Sequence, residues 1–272
     1  LTHHTKLPER EAFLKSFPED QRELILEVWE GIHSYGNSTN ELYTLPSSKE
    51  QAAILFSYDS TRSEASLKWV REVVAALKPT DIVEFGCGAG FLLQYLRHLH
   101  PSIKLTGIDL VKNLLDTIPK NDNINAINAD YKTLKMHGMS DLAISDFGWD
   151  NSDKPRSNTP HSIAYAGKYS YCPGCSNDAI PFFHDLIKQM EHSISDQGSI
   201  AICGRLTGTG DIRALYDASK SLGMNVCGTL TKTIKIRHIN GEKERFPAFV
   251  LKPSAISKSE LTLLECLDIL KP

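Results

Sequence analysis

The sequence has no run approaching the roughly 18 uninterrupted apolar residues that a membrane-spanning helix needs. Residues 1–7 also lack the apolar core of a secretory leader. Charge is nearly balanced, a formal −3 over 272 residues, so no chain-wide basic excess exists to hold a polyanion or an anionic membrane. No internal repeat or low-complexity tract is apparent. The six cysteines (87, 172, 175, 203, 227 and 266) do not form a disulfide framework, because four of them stand singly inside expected strands, helices or a glycine loop. They are read as reduced thiols acting mostly as small apolar groups. These absences lead to the expectation of a soluble cytoplasmic protein. With 41% hydrophobic residues, the chain suits one large α/β domain with an appendage, or two small domains.

Residues 1–60 carry no strand signal. Over 20–35, Leu24, Ile25, Val28, Trp29 and Ile32 recur on one helical face, and 49–56 reads as a second short helix. This segment is expected to be a helical extension, either a lid or padding that covers the sheet or contacts a second copy of the chain in a homodimer. From Ser63 onward, helix and strand patterns alternate. Leu67, Val70, Val73, Val74 and Leu77 line a helix that ends at Pro79. Strands are expected at 81–85, 104–109, 124–128, 141–146 and 198–203, with helices at 90–99, 111–118, 178–194 and 211–222. Such alternation builds a parallel sheet with helices on both faces. The end departs from it: 233–238 alternates at period two, Asn240-Gly241 is a strong hairpin signal, and 246–251 reads as the returning antiparallel strand.

The run Glu84-Phe85-Gly86-Cys87-Gly88-Ala89-Gly90 follows the first of these strands. Glycines at a strand's carboxyl end let the backbone take positive φ and approach a ligand with no Cβ in the way. A dinucleotide fingerprint would need G-x-G-x-x-G, but position 91 is phenylalanine. Glu84 would also repel a pyrophosphate while suiting a cationic or amine-bearing ligand. Both features argue against NAD. Asp109 stands at the tip of the neighbouring strand, on the same rim, where its carboxylate can accept the two hydroxyls of a ribose lying across the glycine loop. Read alone, Asp109 and Asp130 equally suit helix N-caps, and Glu84 and Asp146 suit strand ends.

Together these residues resemble the class I S-adenosylmethionine-dependent methyltransferases. The family's first motif, an acid, a spacer and G-x-G-x-G, matches Glu84 to Gly90 in full, and its acid at the end of strand two matches Asp109. Asp130, in Asn128-Ala129-Asp130-Tyr131, matches the acid near the adenine amine, Asp146 matches a landmark after strand four, and the terminal hairpin matches strands six and seven. The resemblance covers about residues 60–252. It implies a Rossmann-like, seven-stranded, mostly parallel sheet over 61–272, with S-adenosylmethionine as cofactor. The cofactor residues it implies are Glu84, Gly86, Cys87, Gly88, Gly90, Asp109, Leu110, Asp130, Tyr131 and Asp146.

The acceptor is expected to be enclosed by the extension and by the long segment 147–177, in which no secondary structure is foreseen. Trp149, Tyr165, Tyr169 and Tyr171 would give that segment an aromatic wall. His161 is the candidate general base, with Asp146 and Tyr171 as further catalytic candidates; Asp146 and Asp150 would bind an amine-bearing substrate or orient the base. Cys172-Pro173-Gly174-Cys175 supplies two thiolates where a structural zinc needs four ligands, and neither His161 nor His184 stands at a familiar spacing. It is therefore read as a Pro-Gly turn, with no metal expected. Strand four lacks the Asn/Asp-Pro-Pro-aromatic motif of amino-methylating nucleic-acid enzymes and the Pro-Cys nucleophile of cytosine-5 enzymes. The Asp-Asn pair of magnesium-dependent catechol enzymes is absent after strand five. The expected function is metal-independent methylation of an oxygen or nitrogen on a small molecule. The alternatives are a silent cofactor-binding partner subunit and methylation of a protein or RNA.

Overall fold

The structure is a computed structural model that describes residues 7–35, 40–57, 60–120, 123–138, 140–149, 161–206, 208–237, 243–257 and 259–269. Helices α1 (Leu7–Lys15), α2 (Glu19–Tyr35), α3 (Asn40–Tyr43) and α4 (Lys49–Ser57) precede the long helix α5 (Ser60–Leu77). The first four share a small core of their own, made by Phe13, Phe17, Ile25, Leu42 and Leu55. Gln51 ties them together, accepting from the Ser47 N–H at 2.8 Å and donating to the Ser16 carbonyl at 3.0 Å. Leu24, expected on the apolar face of α2, is 63% exposed; its neighbour Ile25 is the residue turned inward. The side chains of Val28, Trp29 and Ile32 lie outside the described residues.

The sheet begins with β1 (Asp81–Phe85), followed by α6 (Phe91–Leu99), β2 (Lys104–Asp109), α7 (Lys112–Leu115), β3 (Ile124–Asn128) and β4 (Ser140–Asp146). Next come β5 (Ala164–Ala166), β6 (Tyr169–Tyr171), α8 (Pro173–Ser193), β7 (Ile194–Cys203) and α9 (Thr209–Ser221). The chain closes with β8 (Met224–Val226), β9 (Lys232–Arg237), β10 (Lys243–Pro253) and α10 (Leu263–Asp268). The spatial order is β3-β2-β1-β4-β7-β10-β8, with β9 paired to β10. Pairing is parallel from β3 to β7 and antiparallel at β10. Among the described residues the sheet therefore has eight strands rather than seven. The expected hairpin is present as β9–β10, its turn lying outside the described residues, but the edge position beside β10 belongs to β8, a three-residue strand too short for a periodicity signal.

Both faces of the sheet are covered, so side chains on both faces of its central strands are buried, mostly apolar ones, with Glu84 of β1 and Ser145 of β4 among the polar exceptions. In β1, Ile82 packs into the layer that holds Trp69, Val70 and Val73 of α5 and Leu92, Leu93 and Leu96 of α6. Val83 and Phe85 pack into the opposite layer, with Phe183, Ile187 and Met190 of α8 and Leu215 of α9. The strand order reverses between β1 and β4. In open α/β sheets the crevice at the carboxyl ends of such strands is the ligand site.

Segment 147–177 differs from expectation. Its described part contains the hairpin β5–β6, and α8 starts at Pro173 rather than 178. Proline is favoured in a helix's first turn, where its missing N–H would have had no partner. Cys172-Pro173-Gly174-Cys175 is thus the start of a helix and not a free-standing turn. Among the described residues, no helix is long and apolar enough to cross a membrane.

Candidate functional site

The glycine loop is held against the end of β2: the N–H groups of Gly86 and Cys87 both donate to the Ile108 carbonyl, at 2.8 and 3.1 Å. Gly86, Gly88 and Gly90 take φ of 75, 53 and 68°, the left-handed region that disfavours any side chain. At Gly86 a Cβ would lie 2.4 Å from the Cα of Gly148, so the loops after β1 and β4 touch backbone to backbone. Beside that contact lies a cavity of about 270 Å³, walled by both loops and by the segments after β2 and β3.

Of the expected cofactor residues, Gly86, Gly88, Asp109, Leu110, Asp130 and Tyr131 line this cavity. Asp109 is fixed by two backbone donors: Gly88 N–H reaches Oδ2 at 2.7 Å and Val111 N–H reaches Oδ1 at 2.8 Å. Asp109 is not the cap of α7, whose N-cap is Val111 with no side-chain cap bond; its carboxylate closes a turn ahead of the helix, and each oxygen keeps a lone pair for a ligand. Asp130 likewise accepts from the Lys132 N–H at 2.9 Å, closing a turn with its own chain. Leu110 is 60% exposed at the cavity's edge, an apolar surface open to a flat ligand.

Glu84, Cys87, Gly90 and Asp146 stand behind the wall. Cys87 turns its thiol into the core, toward Gly107, so only its backbone serves the loop. Glu84 is 3% exposed, and its Oε2 has no hydrogen-bond partner among the described residues. Burial pushes its carboxyl well above the usual range, and the nearby Asp146 and Asp109 carboxylates push it further. Burial also raises Asp109, against the pull of its N–H donors. Asp146 accepts from Ser66 Oγ at 2.9 Å; burial raises its pKa to about 6, although that hydrogen bond and the Arg62 guanidinium lower it. Three carboxylates thus crowd one end of the cavity, an arrangement that a cationic ligand would relieve.

An acid raised in the folded state binds its proton more tightly there than when unfolded. Asp146 therefore takes stability away as pH climbs between about 4 and about 6. Asp146→Asn is expected to gain on the wild type across that window by about 3 kcal/mol, then hold the gain at higher pH. Urea unfolding at a series of pH values checks this; a constant difference between the two proteins would refute it.

Of the rest of the wall, Trp149 was expected among the aromatics of segment 147–177, and the helices before residue 60 as a lid; Tyr43, Phe56 and Phe147 were not singled out. Tyr43 of α3 and Phe56 of α4 stack at 5.8 Å and 10° over the glycine loop, and both line the cavity. Phe147, at φ 54°, and Trp149 close the side toward β4. The Arg62 guanidinium lies 4.2 Å over the Phe147 ring, and Trp149 packs edge-on against Phe182 and Phe183. Gly204 leaves the space that the Trp149 ring fills. None of these contacts has a local sequence signal except the glycine at 148, which follows a strand's end as Gly86 does.

The expected catalytic group does not assemble. Asp146 sits at the tip of β4, but His161 and Tyr171 are not among the cavity's lining residues. Tyr171 lies under the Arg213 guanidinium at 4.9 Å, and Tyr165 is 72% exposed. His161 stands instead beside Cys175 and Cys172, its Nδ1 at 3.4 and 3.7 Å from their sulfurs. The Cys172 thiol, at the amino terminus of α8, is lowered to about 6 by N–H donors from Cys175 and Ser162 and by His161. Asp150 lies outside the described residues.

No protein-family model matches the chain. It is 34% identical over 76 residues to a malonyl-[acyl-carrier protein] O-methyltransferase of Priestia megaterium, and 30% identical over 76 residues to one of Anoxybacillus flavithermus. These matches take in 26% of this chain and 28% and 29% of those proteins, so the chain spans under a third of the length of the curated relatives it matches. Among solved structures, an S-adenosylmethionine-dependent methyltransferase of Leishmania major superposes with a TM-score of 0.54 at 13% identity, over 80% of this chain and 82% of that one. That likeness is one of fold.

Proposed function

We propose that this chain, which belongs by fold and glycine-loop sequence to the class I S-adenosylmethionine-dependent methyltransferases, methylates an oxygen or nitrogen of a small molecule. The observation that carries the reading is the cavity itself, with glycine backbone on one side, three carboxylates beneath and aromatic rings around the rim. The residues present fit the cofactor. Glycines at positive φ leave room for close approach, Glu84 offers an unpartnered buried oxygen, and Asp109 keeps acceptor capacity on both oxygens.

S-adenosylmethionine supplies an electrophilic methyl carbon on a sulfonium. Asp109 would hold the ribose hydroxyls, while Leu110 and Tyr131 would flank the adenine, with Asp130 near its amine. Glu84 would face the ammonium end, where its charge is worth most because water is excluded. Tyr43, Phe56, Phe147 and Trp149 would shut water out and orient the acceptor; for such an in-line displacement, alignment supplies most of what a protein can contribute. The helices before residue 60 would act as the lid, since Tyr43 and Phe56 stand on them. The confined aromatic rim favours a small acceptor over a protein or RNA.

Calorimetric titration with S-adenosylhomocysteine is expected to show micromolar binding, and methyl-labelled S-adenosylmethionine should pass its label to low-mass extract. No heat with S-adenosylhomocysteine alongside a signal with NADH would overturn the cofactor. Label found in protein or RNA would overturn the acceptor class.

A further inference from the structure

The start of α8 gathers chemistry that the methyl-transfer reading does not use. Cys172 and Cys175 are three residues apart at the beginning of a helix, a spacing that puts both sulfurs on one face. His161 reaches the same face from the segment before β5, and the three ligand atoms lie within 4.8 Å of one another. His184, the other histidine within sequence reach, is not part of the group; its ring lies 3.7 Å from Asp185.

We infer that His161, Cys172 and Cys175 form a binding site for a thiophilic divalent cation, zinc by donor type, with one coordination position left for an exogenous donor. Tetrahedral zinc with bonds of about 2.3 Å to sulfur and about 2.0 Å to nitrogen requires nitrogen–sulfur separations of about 3.5 Å. The observed separations, 3.4 and 3.7 Å, bracket that value without rearrangement. Two thiols converging on one ring nitrogen also make poor sense as hydrogen bonding alone, since Nδ1 has a single lone pair or a single proton to share. A metal at the centre uses all three groups at once. Two thiolates and an imidazole select zinc over magnesium or calcium, which prefer oxygen.

The surroundings are built to hold these ligands still. Cys172 Sγ accepts N–H groups of Cys175 and Ser162, the outer-shell contacts that orient a metal-bound thiolate. Ser176 Oγ donates to the Gly210 carbonyl at 3.0 Å, and Thr209 Oγ1 donates to the Ser170 carbonyl, so the starts of α8 and α9 and strand β6 are fastened to one another. With metal bound, residue 161 would be pinned to the same point, anchoring the segment that leads into the β5–β6 hairpin. The site is separate from the cavity. Phe182 and Phe183, which touch Trp149, lie seven or more residues further along α8, roughly 10 Å at 1.5 Å per residue.

The test uses the whole chain, thiols reduced, titrated with zinc against a chromophoric chelator and separately with cobalt(II). The expected result is binding of one zinc per chain, with a sulfur-to-cobalt charge-transfer band and the intense visible bands of a tetrahedral centre. Cys172→Ser with Cys175→Ser should remove both signals. His161→Ala, a change at an exposed side chain that keeps the test sound if the double variant does not fold, should weaken zinc binding by about 10-fold or more. S-adenosylhomocysteine binding should be unchanged in His161→Ala, which separates this site from the cofactor reading. No zinc binding and no charge-transfer band in the reduced wild type would overturn the inference, as would undiminished zinc binding in His161→Ala.

Discussion

Gly86→Val is expected to abolish S-adenosylhomocysteine binding and lower the melting temperature by several degrees. At position 86 a Cβ would meet Gly148 Cα at 2.4 Å and its carbonyl oxygen at 2.5 Å. These are backbone atoms that no rotamer change can move aside. A side chain at φ 75° adds about 1–2 kcal/mol of strain, and overpacking adds about 1–3 kcal/mol more. Relief comes only by parting the loops after β1 and β4, and the cavity between them would lose its shape. Gly88→Ala separates strain from collision. Its Cβ would find Phe56 Cζ at 3.5 Å, an ordinary contact, so only the φ of 53° is penalised. Binding to Gly88→Ala should be weakened but measurable, with little change in fold by circular dichroism. Wild-type affinity in Gly86→Val would show that the two loops do not shape the site.

The parts of this arrangement that were legible in the sequence are those determined locally. β1, β2 and β3 fall at 81–85, 104–109 and 124–128 as read, because each is a short segment with recurring aliphatic residues set between turn-forming or polar ones. The glycines and carboxylates of the cavity share one rim for the same reason: parallel strands all end on the same side. What escaped depends on contacts across the fold. Tyr43 and Phe56 reach the glycine loop only because the helices before residue 60 fold back over it, which no periodicity reports. His161 suggested a base by its chemistry, but its neighbours are set by where α8 begins. The start of α8 was misplaced because Pro-Gly in Cys172-Pro173-Gly174-Cys175 reads as a turn, although proline in the first turn of a helix is equally regular.

Glu84→Gln is expected to move stability and affinity in opposite directions. Unliganded, the protein carries Glu84 buried, with one oxygen unpartnered and two further carboxylates close by. Glutamine has the same shape without the charge, so the variant should unfold at higher denaturant near neutral pH. That advantage should shrink as pH falls, because the raised pKa means the wild-type carboxyl is then protonated and neutral as well. For S-adenosylhomocysteine the sign reverses. Its ammonium would lose a charge-assisted hydrogen bond worth about 1.5–3 kcal/mol, a weakening of about 10- to 100-fold. A ligand with the adenosine but no ammonium, such as methylthioadenosine, should bind wild type and variant alike. Equal losses for both ligands would mean that Glu84 shapes the loop and does not meet the cation. Unchanged affinity for both would place the ammonium elsewhere, leaving Glu84 a buried charge with no functional return, which proteins seldom keep without a partner.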